Sequence, residues 1–350
     1  MNTYQALFTP FTLNNGVTVP NRLAVAPMTH YASNADGTIS DEEQAFLAGR
    51  ADDFGLFITA STLVHPSGHT FKGQPFAFDD SHLPSLTETA HILKQGGAKA
   101  ILQLHHGGAL AQWADEPLAP SAIGKARQMS ESEIWQVIDG FGKASELAIL
   151  AGFDGVEIHG ANGHLIQQFV SQQSNGRDDA WGGNLADRMR LSVEIINKID
   201  EIKTKHDKTD FIVGYRLSPE EAGDNGLTMS DTLAVIDTLL GLNLQYLSVS
   251  QGDFYANARR GAGVLPRLQV IREHIGNKLA LIGVGGLVNA DDLMNAYRTG
   301  WADFLAVGKA VLINPDFATL IKSGRADEIH TTFDMRRIDE YRLPKGIFEN

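Results

Sequence analysis

The chain of 350 residues contains no cysteine. That one absence excludes disulfides, thiolate zinc sites, cysteine-ligated iron–sulfur clusters and cysteine nucleophiles, and it permits a reducing compartment. Basic residues are in deficit, with 29 Lys and Arg against 42 Asp and Glu and a formal net charge of −13 at pH 7. A field of that sign repels a duplex or an anionic membrane surface, so neither nucleic acid nor membrane is expected as a partner. No apolar run approaches the roughly 20 residues that span a bilayer, and the opening MNTYQALFTPFTLNNG lacks the basic start and apolar stretch of a signal peptide. The protein therefore reads as cytoplasmic. A glycine fingerprint is missing too: LAVAPMTHY contains no glycine after the first strand-like segment, which argues against a doubly wound dinucleotide fold.

What the sequence does contain is repetition. Eight short apolar, β-branched segments occur at 23–28, 56–61, 100–106, 155–160, 211–218, 246–250, 280–286 and 304–309. Helical periods lie between them, as in ESEIWQVIDGFGKASELAILAG, where Ile134, Val137, Ile138, Phe141, Leu147 and Ala148 share one side. Alternating strand and helix predict a parallel sheet, and eight strands in a chain somewhat over 250 residues predict a closed (β/α)₈ TIM barrel of the α/β class, a single domain over 1–350. FTLNNGVTVPNR reads as a β-hairpin ahead of the first strand, with Asn15-Gly16 taking left-handed angles in its turn and the hairpin capping the closed end of the barrel.

In such a barrel the chemistry sits where strands end. Strand one ends in Pro27-Met28-Thr29-His30-Tyr31, strand three in Gln103-Leu104-His105-His106, strand four in His159-Gly160-Ala161-Asn162-Gly163-His164, and strand five in Arg216. Strands seven and eight end in Gly285-Gly286 and in Gly308-Lys309. Glycine-freed backbone N–H groups, a helix start and a lysine at these two strands make a phosphate cradle. Plainer readings stand beside these. The glycines can serve turns alone, His105-His106 can be one satisfied core histidine beside an exposed one, Arg216 can neutralise Glu157 or Glu220, and NGRDDAWGGNLADR can be a helix cap with a surface loop. Closely spaced imidazoles can also bind metal, but Asn is a poor zinc ligand and no acid sits in 159–164, so no metal is expected. Asp41-Glu42-Glu43 reads as a helix N-terminal turn.

The strings APMTHY, LQLHHGG, EIHGANGHL, NGRDDAWGG followed by DRMR, YRLS, GVGG and AVGK occur over nearly the whole chain. In order and spacing they resemble the old yellow enzyme family of FMN-dependent ene-reductases. The resemblance implies that Pro27, Met28, Thr29 and Ala60 line the flavin ring, that Gln103 and Arg216 contact its pyrimidine end, and that Gly285, Gly286, Gly308 and Lys309 hold the phosphate, with lysine where the family usually has arginine. It implies that His159 and Asn162 donate hydrogen bonds to a substrate carbonyl, that NADH or NADPH is the reductant, and that the substrate is an electron-poor alkene. Many members carry a proton-donating Tyr where His164 stands here, so His164 or water is the candidate donor; Tyr31 is a further active-site candidate. Related enzymes sometimes complete the site with a neighbouring subunit's C-terminal arginine, which leaves a homo-oligomer open through Arg336, Arg337 or Arg342. Two other functions are carried forward: an NAD(P)H-oxidising flavoprotein whose acceptor is not an enone, and a flavin-free sugar-phosphate lyase or isomerase using the same cradle.

Overall fold

The computed structural model describes residues 3–349. Its centre is eight parallel strands: β1 (Leu23–Val25), β2 (Leu56–Ile58), β3 (Lys99–His105), β4 (Gly155–Gly160), β5 (Ile212–Leu217), β6 (Tyr246–Val249), β7 (Ala280–Val284) and β8 (Phe304–Val307). Each pairs with the next in chain order, and β8 returns to β1 with Val307 opposite Val25, so the sheet closes into the expected barrel. Several strands stop short of the apolar strings that announced them. β1 ends at Val25, two residues before Pro27, and β7 ends at Val284, where Gly285 (φ 135°) and Gly286 (φ 67°) leave extended geometry. Proline donates no ladder hydrogen bond and positive φ breaks the pleat, so these residues turn from the wall into the rim.

Alternation along the strands sorts side chains into two cores. Inward-facing Ala24, Leu56, Ile101, Ile212, Tyr246, Ile282 and Phe304 pack together inside the barrel, while neighbours such as Leu23, Val25, Phe57, Leu102 and Val156 face the helices outside. Gly214 makes room for the interior Tyr246, whose ring atoms would lie 2.0 Å from a Cβ at that position. The helix Glu131–Ala151 buries all six of the apolar residues predicted to share a face. A Ser130–Glu133 capping box starts it and left-handed Gly152 (φ 87°) ends it.

The hairpin forms between Phe11–Thr12 and Thr18–Val19, and its Leu13 and Val19 pack into the interior core from the N-terminal end of the strands. Asn14 ties it to the barrel through the Leu244 carbonyl at 2.8 Å. One detail of the sequence reading is corrected: Gly16 (φ 85°) is left-handed and Asn15 is not. Gly16 N–H bonds the Leu13 carbonyl at 2.9 Å and Leu13 N–H bonds the Val17 carbonyl at 2.9 Å, a wider turn that needs one left-handed residue rather than two.

The NGRDDAWGG segment is more than the helix cap and surface loop of the plainer reading: Gly176, Asp178, Asp179, Ala180 and Gly183 are exposed, but Asn175, Arg177, Trp181 and Gly182 are buried and anchor it. Arg177 donates to the Pro120 and Met129 carbonyls at 2.9 and 2.7 Å and to Asp179, Asn175 holds the Phe169 and Trp181 carbonyls, and the Trp181 side chain is buried. Only then does Asn184 cap the helix Leu185–Lys205. Asp41-Glu42-Glu43 does open a helix, but Glu43 is buried against His30 and Ser33. Among the described residues no helix is long and apolar enough to cross a membrane.

Candidate active site

Register carries side chains to the C-terminal rim. In the sheet His159 stands opposite Arg216 and Arg216 opposite Ser248, one layer above Gln103 opposite Glu157. Seven of the residues singled out in the sequence, Pro27, Thr29, Gln103, His159, Asn162, His164 and Arg216, line a single cleft there. Ser61, Phe71 and His105 complete its wall. Ala60 faces a separate small cavity instead, and its neighbour Ser61 takes the place beside Gln103 through a 2.8 Å hydrogen bond. Tyr31 (φ 57°) does not line the cleft; its ring packs edge-on against Phe71. Met28 lies against Gly308, where a Cβ would come within 3.4 Å of its sulfur.

Arg216 is buried and, among the described residues, forms no ion pair with a carboxylate. Its Nη1 and Nη2 donate to Ser248 and Ser250 hydroxyls at 3.1 Å each, and its Nε has no partner. The reading in which it neutralises Glu220 fails, because Glu220 accepts from Arg267 Nε at 2.6 Å and from the Arg259 and Arg260 backbone. Glu157 forms no ion pair with it and acts on it only through its charge; one Glu157 oxygen accepts from Gln103 Nε2 at 2.7 Å and the other, also buried, has no partner among the described residues. Burial pushes the Glu157 carboxyl up, with the Arg216 charge opposing, and burial pulls the Arg216 guanidinium down. A desolvated cation with a donor to spare is costly unless a ligand supplies acceptors and negative charge. An FMN ring, whose pyrimidine end carries carbonyl oxygens and accumulates negative charge on reduction, would fit that requirement.

The loop after β4 is shaped by Asn162 (φ 58°) and Gly163 (φ 74°), consecutive left-handed residues of the types that tolerate this geometry. His159 Nδ1 accepts from Ala161 N–H at 3.2 Å, which leaves the ring proton on Nε2. Asn162 Oδ1 accepts from Ser250 at 2.8 Å, so its amide N–H groups are left to donate. His164 Nδ1–H donates to the Ala161 carbonyl at 3.3 Å, so its Nε2 is an acceptor. Burial holds His159 well below the usual histidine range, with the neighbouring His164 and Arg216 adding to the effect, and pushes His164 down to about 4. All of these rings are therefore neutral at pH 7.

His105 and His106 are both buried, so neither is the exposed histidine of the plainer reading. His106 is a satisfied core residue, with Ser67 at 3.0 Å on one ring nitrogen and Gly108 N–H at 3.0 Å on the other. Ring nitrogens of His105, His159 and His164 lie within 4.8 Å of one another. That spacing suits a metal, but His159 and His105 both accept hydrogen bonds at Nδ1 and so carry protons where lone pairs would be needed. Sequence reading missed Ser61, Phe71, Ser248 and Ser250. The SVS string at the end of strand six, two hydroxyls on the Arg216 side, was the available signal for the last two; Phe71 comes from a loop and left none.

At the adjacent ends of β7 and β8, a Cβ on Gly286 would have the Gly252 carbonyl oxygen at 3.7 Å, Gly308 precedes the helix Lys309–Ile313, and Lys309 is exposed. Gly285 is required by packing as well, since a Cβ there would meet the Phe254 backbone nitrogen at 2.5 Å. Arg336 and Arg337 are held in local ion pairs with Asp334 and Glu340.

Comparison with known proteins identifies the family. A profile of the NADH:flavin oxidoreductase / NADH oxidase family matches residues 6–328. The chain is 42% identical over 356 residues to a probable NADH-dependent flavin oxidoreductase, YqiG, of Bacillus subtilis, covering 99% of this chain and 95% of that one. It is 34% identical to an NADH:acrylate oxidoreductase of Vibrio harveyi over 96% of this chain, but spans only 35% of that longer protein. In fold it resembles an old yellow enzyme homologue from Zymomonas mobilis with a TM-score of 0.79, at 23% identity over 97% of this chain and 96% of the other. The chain belongs to the NADH:flavin oxidoreductase / NADH oxidase family, the old yellow enzyme family of FMN-dependent, NADH- or NADPH-using oxidoreductases.

Proposed function

We propose that this chain, acting as one FMN-binding domain, reduces the activated C=C bond of α,β-unsaturated carbonyl compounds. When bound, FMN would supply the hydride-transfer chemistry between NADH or NADPH and the alkene, and the residues of this chain would hold, orient and polarise the reacting groups. The observation that carries the reading is the pairing of two preset donors, His159 Nε2–H and the Asn162 amide, in the same cleft as a buried Arg216 without a carboxylate partner. With FMN as the family's cofactor, the flavin-free lyase or isomerase reading falls away.

His159 and Asn162 hold the carbonyl oxygen and stabilise the negative charge that grows on it as the β-carbon becomes bonded to hydrogen. Their fixed orientation means that no dipoles need reorganise at that moment. Arg216, Gln103, Thr29 and Pro27, which line the cleft, would hold the ring end of FMN, and Met28 and Ala60 would support its ring. Gly286, Gly308 and Lys309 would hold the phosphate, Gly285 shaping the loop, and Lys309 would supply a point charge where arginine would supply a fork. His164, neutral and already donating to Ala161, has no proton to give, so water is assigned the proton that reaches the α-carbon and His164 Nε2 accepts from it. Tyr31 acts through Phe71, as a wall rather than a donor.

The test is the double variant His159→Ala with Asn162→Ala. It is expected to remain yellow, to oxidise NADH or NADPH with an artificial acceptor, and to lose about 10²–10³-fold in enone turnover together with the long-wavelength band given by bound phenols. Full retention of both would remove these residues from the mechanism. Loss of enone turnover in this variant alone also separates the reading from that of an NAD(P)H oxidase with a different acceptor.

A further inference from the structure

His105 is a strand residue at the rim of β3 whose tautomer can be read from its neighbours. Gln74 Oε1 accepts from Thr70 N–H at 2.9 Å, and a backbone N–H can only donate, so the amide orientation of Gln74 is fixed. Gln74 Nε2 then donates to the Ser61 carbonyl at 3.1 Å and to His105 Nδ1 at 3.0 Å. His105 consequently carries its proton on Nε2. That Nε2–H is buried and has no partner among the described residues. The ring lines the cleft, with its centroid 5.3 Å from that of His159 and 4.5 Å from that of His164.

We propose that His105 is a third hydrogen-bond donor at the carbonyl-binding end of the cleft, and that with His159 and Asn162 it selects electron-poor alkenes whose activating group is a carboxylate. This rests on the function proposed above and deepens it by naming the substrate class. A ketone or aldehyde oxygen has two lone pairs, which His159 and Asn162 already serve. A third buried donor is then left unpaired, a loss on the order of tenfold in affinity. A carboxylate offers two oxygens and about four lone-pair sites, enough for all three donors. The charges around the site permit an anion: burial disfavours charge on the His159 and His164 imidazoles, Arg216 lines the cleft, and Glu157, which bonds Gln103 through one oxygen, does not line it.

Benzoate and benzaldehyde, one planar ring with either group, are titrated into the FMN-loaded protein and followed by perturbation of the flavin absorption. Wild type is expected to bind benzoate at least tenfold more tightly than benzaldehyde. His105→Leu should lower that preference at least tenfold, and His105→Gln, which keeps an N–H donor, should recover part of it. Gln74→Met, which no longer pins the His105 proton on Nε2, should shift the preference in the same direction as His105→Leu. A wild-type preference for benzaldehyde, or one that His105→Leu leaves unaltered, overturns the proposal and leaves the enone reading standing. If the His159→Ala, Asn162→Ala variant binds both ligands as well as wild type, the underlying reading fails instead.

Discussion

Ser250 donates its hydroxyl proton to Asn162 Oδ1 at 2.8 Å while accepting from Arg216 Nη2 at 3.1 Å. One hydroxyl thus joins the cation assigned to the flavin to the amide assigned to the substrate. It also decides which end of Asn162 faces the cleft, because an amide whose oxygen is occupied must present its N–H groups.

Ser250→Ala removes that constraint without touching either ligand. Losing about 1 kcal/mol of hydrogen bonding at a site that orients a donor predicts roughly a tenfold fall in kcat/KM for an enone, with FMN retained. Steady-state kinetics and the absorption spectrum of the same preparation check it. Unchanged kinetics would mean that Asn162 is oriented by the loop alone, through the bond of its backbone N–H to Ser218 at 2.9 Å.

Lys309→Ala tests the cradle. A charge-assisted contact to phosphate is worth about 1.5–3 kcal/mol, so FMN should bind roughly tenfold or more weakly while riboflavin, which lacks the phosphate, binds as before. Fluorescence titration of the apoprotein measures both. Equal weakening for the two flavins would place the phosphate away from Lys309.

For His164 the assignment of water as proton source gives a direct expectation. A positioned general acid contributes about 10²–10⁴-fold, so His164→Phe should slow enone-driven reoxidation by much less than a hundredfold. Stopped-flow reoxidation at pH 7 reads this. A hundredfold fall would return the acid role to His164.

The buried His105, His106 and His159 and the half-buried His164 also set a pH dependence of stability. His164 is pushed down to about 4 and His106 to about 3 by burial, and His105 and His159 are held low for the same first reason. Since an unfolded histidine titrates near 6.5, the unfolded chain takes up protons that the folded chain refuses as pH falls below that value. Stability is therefore lost from about pH 6.5 downward, and the His164 contribution is exhausted near pH 4. Each such histidine steepens the loss by up to ~1.4 kcal/mol per pH unit. Denaturant unfolding of FMN-saturated protein between pH 7 and 5 should show a shallower slope in His164→Gln, and an identical slope would contradict the burial assigned to this ring.

Arg177→Ala is expected to act on stability rather than on chemistry. It strips the buried Pro120 and Met129 carbonyls of their donor and leaves Asp179 unpaired, for a loss of roughly 3 kcal/mol or more in chemical denaturation. A loss below about 1 kcal/mol would mean that water replaces the guanidinium.

The sequence by itself determined the barrel and the end of it at which chemistry occurs. Eight β-branched runs separated by helical periods admit few architectures, and polar residues that interrupt such runs must sit on the rim because the interior cannot solvate them. It also named most of the cleft, from Pro27 and Thr29 through His159 and Asn162 to Arg216. What it left undecided were matters of contact across strands. Whether Arg216 had a carboxylate partner, which nitrogen of His105 and His159 held the proton, and whether His164 had a proton to offer all depend on Gln74, Ala161, Ser248 and Ser250. Those partners lie far along the chain or in the backbone. Spacing along one strand says which face a residue occupies, while hydrogen-bond polarity is fixed only when the neighbouring strands and loops close around it.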